Sequence, residues 1–253
     1  MKFFWTINGR NFKQVFVIIV AAFFAATIIF MEGGDLAVFS TADGPRAVDK
    51  VRTKDKKVAL TFDISWGESR AIPILEVLKQ KNVKNTTFFL SGAWAERHPD
   101  TVETIIENGH ELASMGYRYK NYTEMEDEEI RKDIVRAQEA IEKISDEVPT
   151  LLRPPNGNFD KRVLNISGRL KQTVVHWSLD SEDWQNPGTD KIIENVTENV
   201  RRGDIILLHA SDSAKQTAAA LPVIIDKLKD DGYTFVSVTE LIADTKAKSK
   251  EVK

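Results

Sequence analysis

Two apolar runs of the sequence each end in a side chain that can give or take a proton. Asp63 follows the β-rich run Val58–Phe62, and His209 follows Ile205–Leu208. Asp180 comes after a third such run. The carboxyl ends of strands are where α/β folds build their sites, and Asp and His exchange protons near neutrality. The pattern therefore predicts an acid–base site, although a single Asp in such a position more often turns a loop or caps a helix.

Two further residues extend the candidate site. Arg153 ends an apolar run just before Pro154 and Pro155, which fix the following backbone. A guanidinium at this position can hold a carboxylate in a fixed, bidentate geometry; the alternative is a surface turn with the arginine lying over apolar groups. Trp184, four residues after Asp180, is suited either to stack on a sugar face or an acetyl methyl group, or to plug the mouth of a barrel.

Strand-like and helix-like runs alternate from Val58 onward, which predicts a parallel sheet with helices outside it. The predicted strands are Val58–Asp63, Thr86–Ser91, Glu111–Ala113, Leu151–Arg153, Val174–Ser178, Ile205–His209 and Tyr233–Val238. The predicted helices are Ala71–Lys81, Pro99–Asn108, Glu124–Ile144, Asp190–Val200 and Thr217–Lys229. About seven strands would close imperfectly into a distorted (β/α) barrel of the α/β class. A doubly wound open sheet is the alternative, but no Gly-rich dinucleotide loop supports it.

Apolar spacing predicts which helical residues are buried. The predicted buried residues are Ile72, Leu75 and Leu78 in the first helix and Val102, Ile105 and Ile106 in the second. Thr123 and Glu126 stand at capping-box spacing, which predicts the start of the long third helix.

The N-terminal part predicts a membrane anchor. Residues 15–31 carry no charge, with basic residues before them and acidic residues after. About 17 helical residues span roughly 25 Å, the short end of the range for a membrane helix, and the basic flank keeps residues 1–14 in the cytoplasm. A cleaved signal peptide is the alternative. We therefore predict a single-pass protein of the cell membrane, with an extracytoplasmic domain at residues 58–245, a linker at 32–57 and a charged tail at 246–253.

Composition excludes several functions. The formal net charge is −3 and no basic block precedes the short Lys-rich tail, so nucleic-acid binding has no support. The chain contains no cysteine, which removes disulfides, thiol nucleophiles and Cys-ligated zinc.

Five short motifs make residues 58–242 resemble the polysaccharide deacetylases, a group also called NodB-homology domains or carbohydrate esterase family four. The motifs are Thr61-Phe-Asp63, Gly109-His-Glu111 leading into Ser114–Tyr119, Arg153-Pro-Pro, Asp180-Ser-Glu-Asp-Trp184 and Leu207-Leu-His209. They occur in the order and at about the spacing that is typical of the family. The uncharged N-terminal span and the Asp-Ile-Ser-Trp-Gly version of the first motif are most similar to the sporulation members of this family.

The resemblance implies a role for each matching position. Asp63 would be the general base and His209 the acid that protonates the leaving amine. Arg153 would orient Asp63, and Asp180 would tune His209. The implied substrate-binding residues are Trp184, Asn156, Tyr119 and Leu207.

The family's divalent metal, usually zinc, has no matching ligands in this chain. The positions of its three ligands are Ile64, Met115 and Tyr119 in this chain. An isoleucine has no lone pair, and a thioether with a phenol is a poor zinc pair, so we predict no metal cofactor. Backbone N–H groups around Asn156 and the Tyr119 hydroxyl are then the expected donors to a developing oxyanion.

Two functions follow. The first is hydrolysis of the amide of N-acetyl groups on peptidoglycan-type glycan during sporulation or cell-wall maturation, with Asp63 and His209 as base and acid. The second is a catalytically inactive glycan-binding module with a structural or regulatory role in wall assembly. Either function has cell-wall glycan and the membrane as partners, and neither involves nucleic acid.

Overall fold

The computed structural model describes residues 40–41 and 44–250, with side chains described for residues 46–244. The predicted span at 15–31 lies outside these residues. Within them, no helix has both the length and the apolar content that crossing a membrane requires.

The strands in the described residues are β1 (Ser40–Thr41), β2 (Gly44–Pro45), β3 (Lys57–Ile64), β4 (Thr87–Leu90), β5 (Glu111–Ser114), β6 (Leu151–Leu152), β7 (Thr173–Val174), β8 (Leu179–Asp180), β9 (Ile205–His209) and β10 (Thr234–Phe235). The helices are α1 (Ala71–Gln80), α2 (Gly92–Arg97), α3 (Pro99–Glu107), α4 (Asp127–Ser145), α5 (Lys161–Arg169), α6 (Thr189–Thr197), α7 (Thr217–Asp230) and α8 (Val238–Lys250). The sequence missed α2, α5 and α8, and it extended the last predicted strand into the start of α8.

Seven strands in this part of the chain follow one another in a parallel sheet, in the order β7-β6-β5-β4-β3-β9-β8. The short strand β10 adds an eighth by pairing in parallel with the start of β3. The two edge strands, β7 and β8, are neighbours in the sequence, and residues 175–178 join them. Val175 N–H still bonds to Leu152 in β6, whereas Ser178 N–H already bonds to Ile205 in β9. The sheet therefore curls into a nearly closed barrel, which confirms the predicted α/β class with about seven parallel strands.

The predicted single strand Val174–Ser178 was wrong, because its residues are divided between the two edges of the barrel. The segment just before β3 lies across the resulting seam. Val48 pairs with Val175, and Val51 N–H bonds to Gly203. Both valines are buried, although the sequence assigned them to a linker. Apolar side chains at this seam shield the interior of the barrel where the ladder of hydrogen bonds is interrupted.

Alternation along β3 separates two layers of the core. Val58, Leu60, Phe62 and Ile64 pack with α1 and α7 in the layer between sheet and helices. Ala59 belongs to the inner layer, which also contains Phe89, Ala113 and Met115. Because successive side chains of a strand point to opposite faces, Thr61 and Asp63 are directed to the inside of the barrel.

Three helical details differ from the expectations. Ile72 and Ile106 are 40% and 37% exposed. In the first helix Ile74 is buried instead of Ile72, because the buried face of that helix is rotated relative to the predicted one. The capping box of α4 consists of Glu126 and Glu129, one turn after the predicted start, since residues Tyr122–Glu124 form a separate 3₁₀ turn.

Candidate active site

Asp63 is held from inside the barrel by Arg153. The Nη1 atom of Arg153 donates to Asp63 Oδ1 at 2.6 Å and to Thr61 Oγ1 at 3.0 Å, and Nη2 donates to the carbonyl of His176 at 3.0 Å. The guanidinium is fully buried, with its Cζ 4.0 Å from the centre of the Phe89 ring. A charge in that position needs a counter-charge, and Asp63 supplies it. The predicted contact between these two residues is present, but through one guanidinium nitrogen and not in the bidentate geometry that the sequence suggested.

His209 lies next to Asp63 across the sheet. The two residues are direct partners in the parallel register of β3 and β9. The Nδ1 atom of His209 is 2.7 Å from Asp183 Oδ1, and its backbone N–H donates to Asp183 Oδ2 at 2.8 Å. With Nδ1 engaged in this way, Nε2 is the ring nitrogen left for a ligand in the cavity that His209 lines.

Charges around His209 favour its protonated form. Burial alone would lower the pKa of His209, but the hydrogen bond to Asp183 and the charges of Asp183, Asp63 and Asp180 outweigh it and raise the pKa above its ordinary value. Asp183 is itself fully buried and also accepts from the Thr217 hydroxyl at 2.6 Å. This second bond fixes the carboxylate behind the imidazole.

Asp180 acts on His209 through its charge, which is among those that raise the pKa of His209, and not through a hydrogen bond. Its side chain lines the cavity and accepts from the backbone N–H of Glu182 at 2.8 Å, whereas the carboxylate bonded to His209 is that of Asp183. Burial, together with the charges of Asp183 and Glu182, raises the pKa of Asp180. Asp183 was not among the predicted site residues, and the only signal for it was that the motif of Asp180 contains two further carboxylates, Glu182 and Asp183.

A cavity of about 370 Å³ opens at the carboxyl ends of the strands. Its lining includes Asp63, Asp180 and His209 together with the predicted binding residues Tyr119, Asn156, Trp184 and Leu207. The lining residues that the sequence analysis did not select are Ser65, Trp66, Gly157, Trp177, Ser211 and Ser213. The structure thus brings the predicted residues to one place, apart from Arg153, which lies beneath it.

Tyr119 presents a neutral phenol to this cavity. Burial, and then the charge of Asp63, raise the pKa of Tyr119, and the backbone N–H of Asn156 bonds to its oxygen. The hydroxyl hydrogen therefore remains available to an acceptor in the cavity. The N–H groups of Gly157 and Asn158 bond to the carbonyls of Pro154 and Pro155. The predicted backbone donors around Asn156 are thus already engaged, and the phenol is the donor that remains.

The donors at the implied metal positions do not fit zinc. Ile64 is fully buried in the layer between sheet and helices, and Met115 is buried in the inner core without lining the cavity. Only Tyr119 of the three reaches the cavity, as a phenol whose pKa is raised. In the part of the chain with described side chains, no three His, Asp or Glu groups are arranged to hold a metal ion. Zinc sites in proteins are built from imidazole, thiolate and carboxylate donors.

Comparison with known proteins agrees with the motifs. Residues 50–175 match the model of the polysaccharide deacetylase family. The chain is 34% identical over 196 residues to the peptidoglycan-N-acetylglucosamine deacetylase of Bacillus cereus, which is 76% of this chain and 91% of that protein. The chain belongs to the polysaccharide deacetylase family.

Two other members of the polysaccharide deacetylase family define the range of the similarity. The peptidoglycan-N-acetylglucosamine deacetylase PgdA of Listeria monocytogenes is 34% identical over 78% of this chain, which spans 41% of that longer protein. The crystal structure of a family 4 carbohydrate esterase pseudoenzyme from Bacillus anthracis is 29% identical, with a TM-score of 0.73 over 78% of this chain and 69% of that one. The family therefore includes both peptidoglycan deacetylases and pseudoenzymes with this fold.

Proposed function

We propose that this polysaccharide deacetylase domain hydrolyses the amide of N-acetyl groups on peptidoglycan-type glycan, with Asp63 as base and His209 as acid. The observation that carries the proposal is the register of β3 and β9, which makes these two residues direct neighbours. Each has a buried partner that fixes its charge, Arg153 for Asp63 and Asp183 for His209. Paired groups of this kind supply general base and general acid in turn.

The proposed chemistry uses one water molecule. Asp63 takes a proton from this water as its oxygen attacks the acetyl carbonyl, and the Tyr119 hydroxyl donates a hydrogen bond to the carbonyl oxygen as it gains charge. The C–N bond then breaks, and His209 gives a proton from Nε2 to the departing nitrogen. The products are acetate and a free amino sugar. The raised pKa of His209 supports this assignment, because it keeps the acid form available near neutrality.

The proposal derives no step through a metal ion. Of the three implied ligand positions, two are apolar side chains in the core and the third is a phenol. Loss of a Lewis acid removes a large part of the oxyanion stabilisation, so the expected rate is lower than that of a metal-loaded deacetylase.

A second candidate is glycan binding without catalysis. It is favoured by the same missing donors and by the similarity to a family 4 carbohydrate esterase pseudoenzyme. The cavity and its aromatic lining support binding in either case.

Acetate release from N-acetylated glycan separates the two candidates. The wild type is expected to release acetate with or without EDTA, and Asp63→Asn to release none while still binding the glycan. Binding of glycan by the wild type without any acetate would reject hydrolysis and leave the binding module.

We further propose that the domain works outside the cell membrane, held by the N-terminal span at 15–31, during sporulation or wall maturation. The one-sided charge around that span and the peptidoglycan substrates in the names of the relatives support this location. Protease added to intact cells should remove the domain, and full protection of the domain would contradict the proposed orientation.

A further inference from the structure

A large indole lies exposed at the rim of the cavity. Trp66 follows β3 directly after Asp63, Ile64 and Ser65, lines the cavity and is 52% exposed. Of the exposed large apolar side chains in the described residues, it shares the cavity only with Trp184, which is 50% exposed. Exposed aromatic side chains that border a binding site are typical of a ligand contact.

The loop that carries Trp66 is ordered before any ligand arrives. Asp212 in the loop after β9 accepts from the backbone N–H groups of Glu68 and Ser69, each at 3.0 Å. Trp94, which is buried, donates from its ring nitrogen to the carbonyl of Gly67 at 2.8 Å. Gly67 has a φ of +106°, and a Cβ there would lie 2.5 Å from Asp212 Cγ. The loop therefore accepts only glycine at this point, and the backbone next to Trp66 is held in one conformation.

The sheet order sets Trp66 and Trp184 on either side of the acid. Trp66 follows β3 and Trp184 follows β8, while β9 with His209 lies between these strands. A chain that crosses the carboxyl end of β9 is therefore flanked by two loops, each of which carries an exposed indole in the cavity lining.

The size of the cavity indicates which part of a glycan meets Trp66. A volume of about 370 Å³ is near the lower limit for small-molecule sites, so it accommodates the reacting sugar and little more. The next sugar of a polymer must then lie on the rim. A pyranose with equatorial substituents presents a face of C–H groups, which packs on an indole without needing a charged partner.

We propose that Trp66 is a substrate-positioning residue that binds the sugar ring adjacent to the N-acetyl sugar held at Asp63 and His209. This assignment rests on the proposed function, and it makes the domain selective for chains over single sugars. Binding energy from this second ring orients the reacting amide. Such orientation matters more in a chain whose residues at Ile64 and Met115 provide no metal donors.

Calorimetric titration of the full-length chain with N-acetylglucosamine and with its β-1,4-linked tetramer tests this assignment. The wild type should bind the tetramer more tightly than the monomer. Trp66→Ala should weaken tetramer binding about tenfold, the equivalent of about 1.4 kcal/mol, and change monomer binding less than twofold. Trp66→Phe should recover part of the loss, because it keeps an aromatic face. Val223→Ala, at a 41% exposed apolar residue on α7 that is not in the cavity lining, is the matched control and should change neither affinity.

Two outcomes would overturn the assignment: an unchanged tetramer affinity in Trp66→Ala, or an equal loss for monomer and tetramer, which would put Trp66 in the pocket of the reacting sugar. Acetate release by the wild type is measured in parallel. If the wild type releases no acetate but still prefers the tetramer as expected, hydrolysis is rejected and the role of Trp66 is supported. Failure of the proposed function is thus distinguishable from failure of this assignment.

Discussion

The two sides of the cavity are organised in different ways. On one side, Asp63 and His209 lie on adjacent strands. Asp63 is bonded to the buried Arg153, and His209 is bonded to the buried Asp183. On the other side, the loop after β5 contains the implied ligand positions Met115 and Tyr119. Its backbone is bonded to Asp133, and of these two positions only Tyr119 lines the cavity. The two groups proposed as base and acid thus both have buried partners, whereas the implied metal positions carry no set of zinc donors.

Asp133 on α4 explains how the loop after β5 keeps its shape. This buried carboxylate accepts from the backbone N–H of Tyr117 at 2.8 Å, from Arg118 Nε at 3.0 Å and from the Tyr122 hydroxyl at 3.0 Å. Gly116 allows the approach, since a Cβ there would lie 2.0 Å from the Tyr122 oxygen. The loop is thus fixed from behind by protein groups, and its order does not depend on a cation in the cavity.

Removal of the Asp63 carboxylate should have the largest effect on stability, because it breaks the buried ion pair on the side of the cavity that contains Asp63 and His209. Asp63→Ala leaves the fully buried Arg153 without its counter-charge, and we expect a loss of about 3–5 kcal/mol in the free energy of unfolding. Urea unfolding followed by tryptophan fluorescence measures this. The double variant Asp63→Ala/Arg153→Met should be more stable than Asp63→Ala alone. A loss below about 1 kcal/mol in the single variant would show that the pair is not a structural unit.

Asp183→Asn should affect the proposed acid, His209, more than it affects the stability of the fold. Without that charge the pKa of His209 should fall, because burial then prevails over the remaining carboxylates. We expect acetate release near neutrality to drop about 10²-fold or more, with the alkaline limb of the pH profile displaced to lower pH. Asp180→Asn, which removes a charge without removing the hydrogen bond, is the control and should cause a smaller displacement. A larger loss in Asp180→Asn than in Asp183→Asn would make Asp180 the main carboxylate that tunes His209.

The same group makes stability depend on pH. The pKa of His209 is raised in the folded chain, so its protonated form stabilises the fold. This contribution is complete below the ordinary pKa of about 6.5 and is lost as the pH rises through the raised value. In Asp183→Asn, where burial prevails, the pKa of His209 in the folded chain lies below the ordinary value and the sign reverses. The variant should therefore lose stability as the pH falls through this range, and urea midpoints measured across it test the sign.

Asp183 also marks the limit of what the sequence predicts. Strand ends, their parallel order and the meeting of Asp63, Arg153 and His209 follow from apolar runs and motif spacing. The partner of His209 depends on the turn at Asp183–Gln185, which begins after Glu182 in a left-handed conformation. Spacing alone does not distinguish Asp180 from Asp183, because which carboxylate faces β9 is decided by that backbone. Trp66 was missed for a similar reason, since the backbone of its loop is fixed by Asp212, which lies far along the chain.

The barrel seam shows the same limit in the fold. Val174–Ser178 reads as one strand, because each residue is compatible with extended backbone. The curvature of the sheet divides it, so that Val175 bonds to β6 and Ser178 to β9. Val48 and Val51 resemble linker residues in a polar segment, and only the gap at the seam explains their burial. Such features depend on closure of the sheet, which is not a local property of sequence.

Tyr119→Phe tests the other side of the cavity, formed by the loop after β5. If the phenol is the remaining donor to the oxyanion, its loss should lower the rate of acetate release by about tenfold to 10²-fold with little change in glycan affinity. Tyr117→Phe is the matched control in the same loop, since its hydroxyl bonds to Glu96 and Arg136 and is not in the cavity lining. Equal rates in Tyr119→Phe and the wild type would remove the phenol from the mechanism.

Removal of metal ions should have the smallest effect. Because Ile64 and Met115 offer no zinc donors and the loop after β5 is held by Asp133, we expect EDTA to change acetate release and the thermal midpoint of the wild type very little, less than twofold in rate. Metal analysis of the purified chain should find no stoichiometric zinc. A rate that collapses in EDTA and returns with added Zn²⁺ would mean that Asp63, Asp180 and His209 rearrange around a cation, and the two sides of the cavity would then be one site.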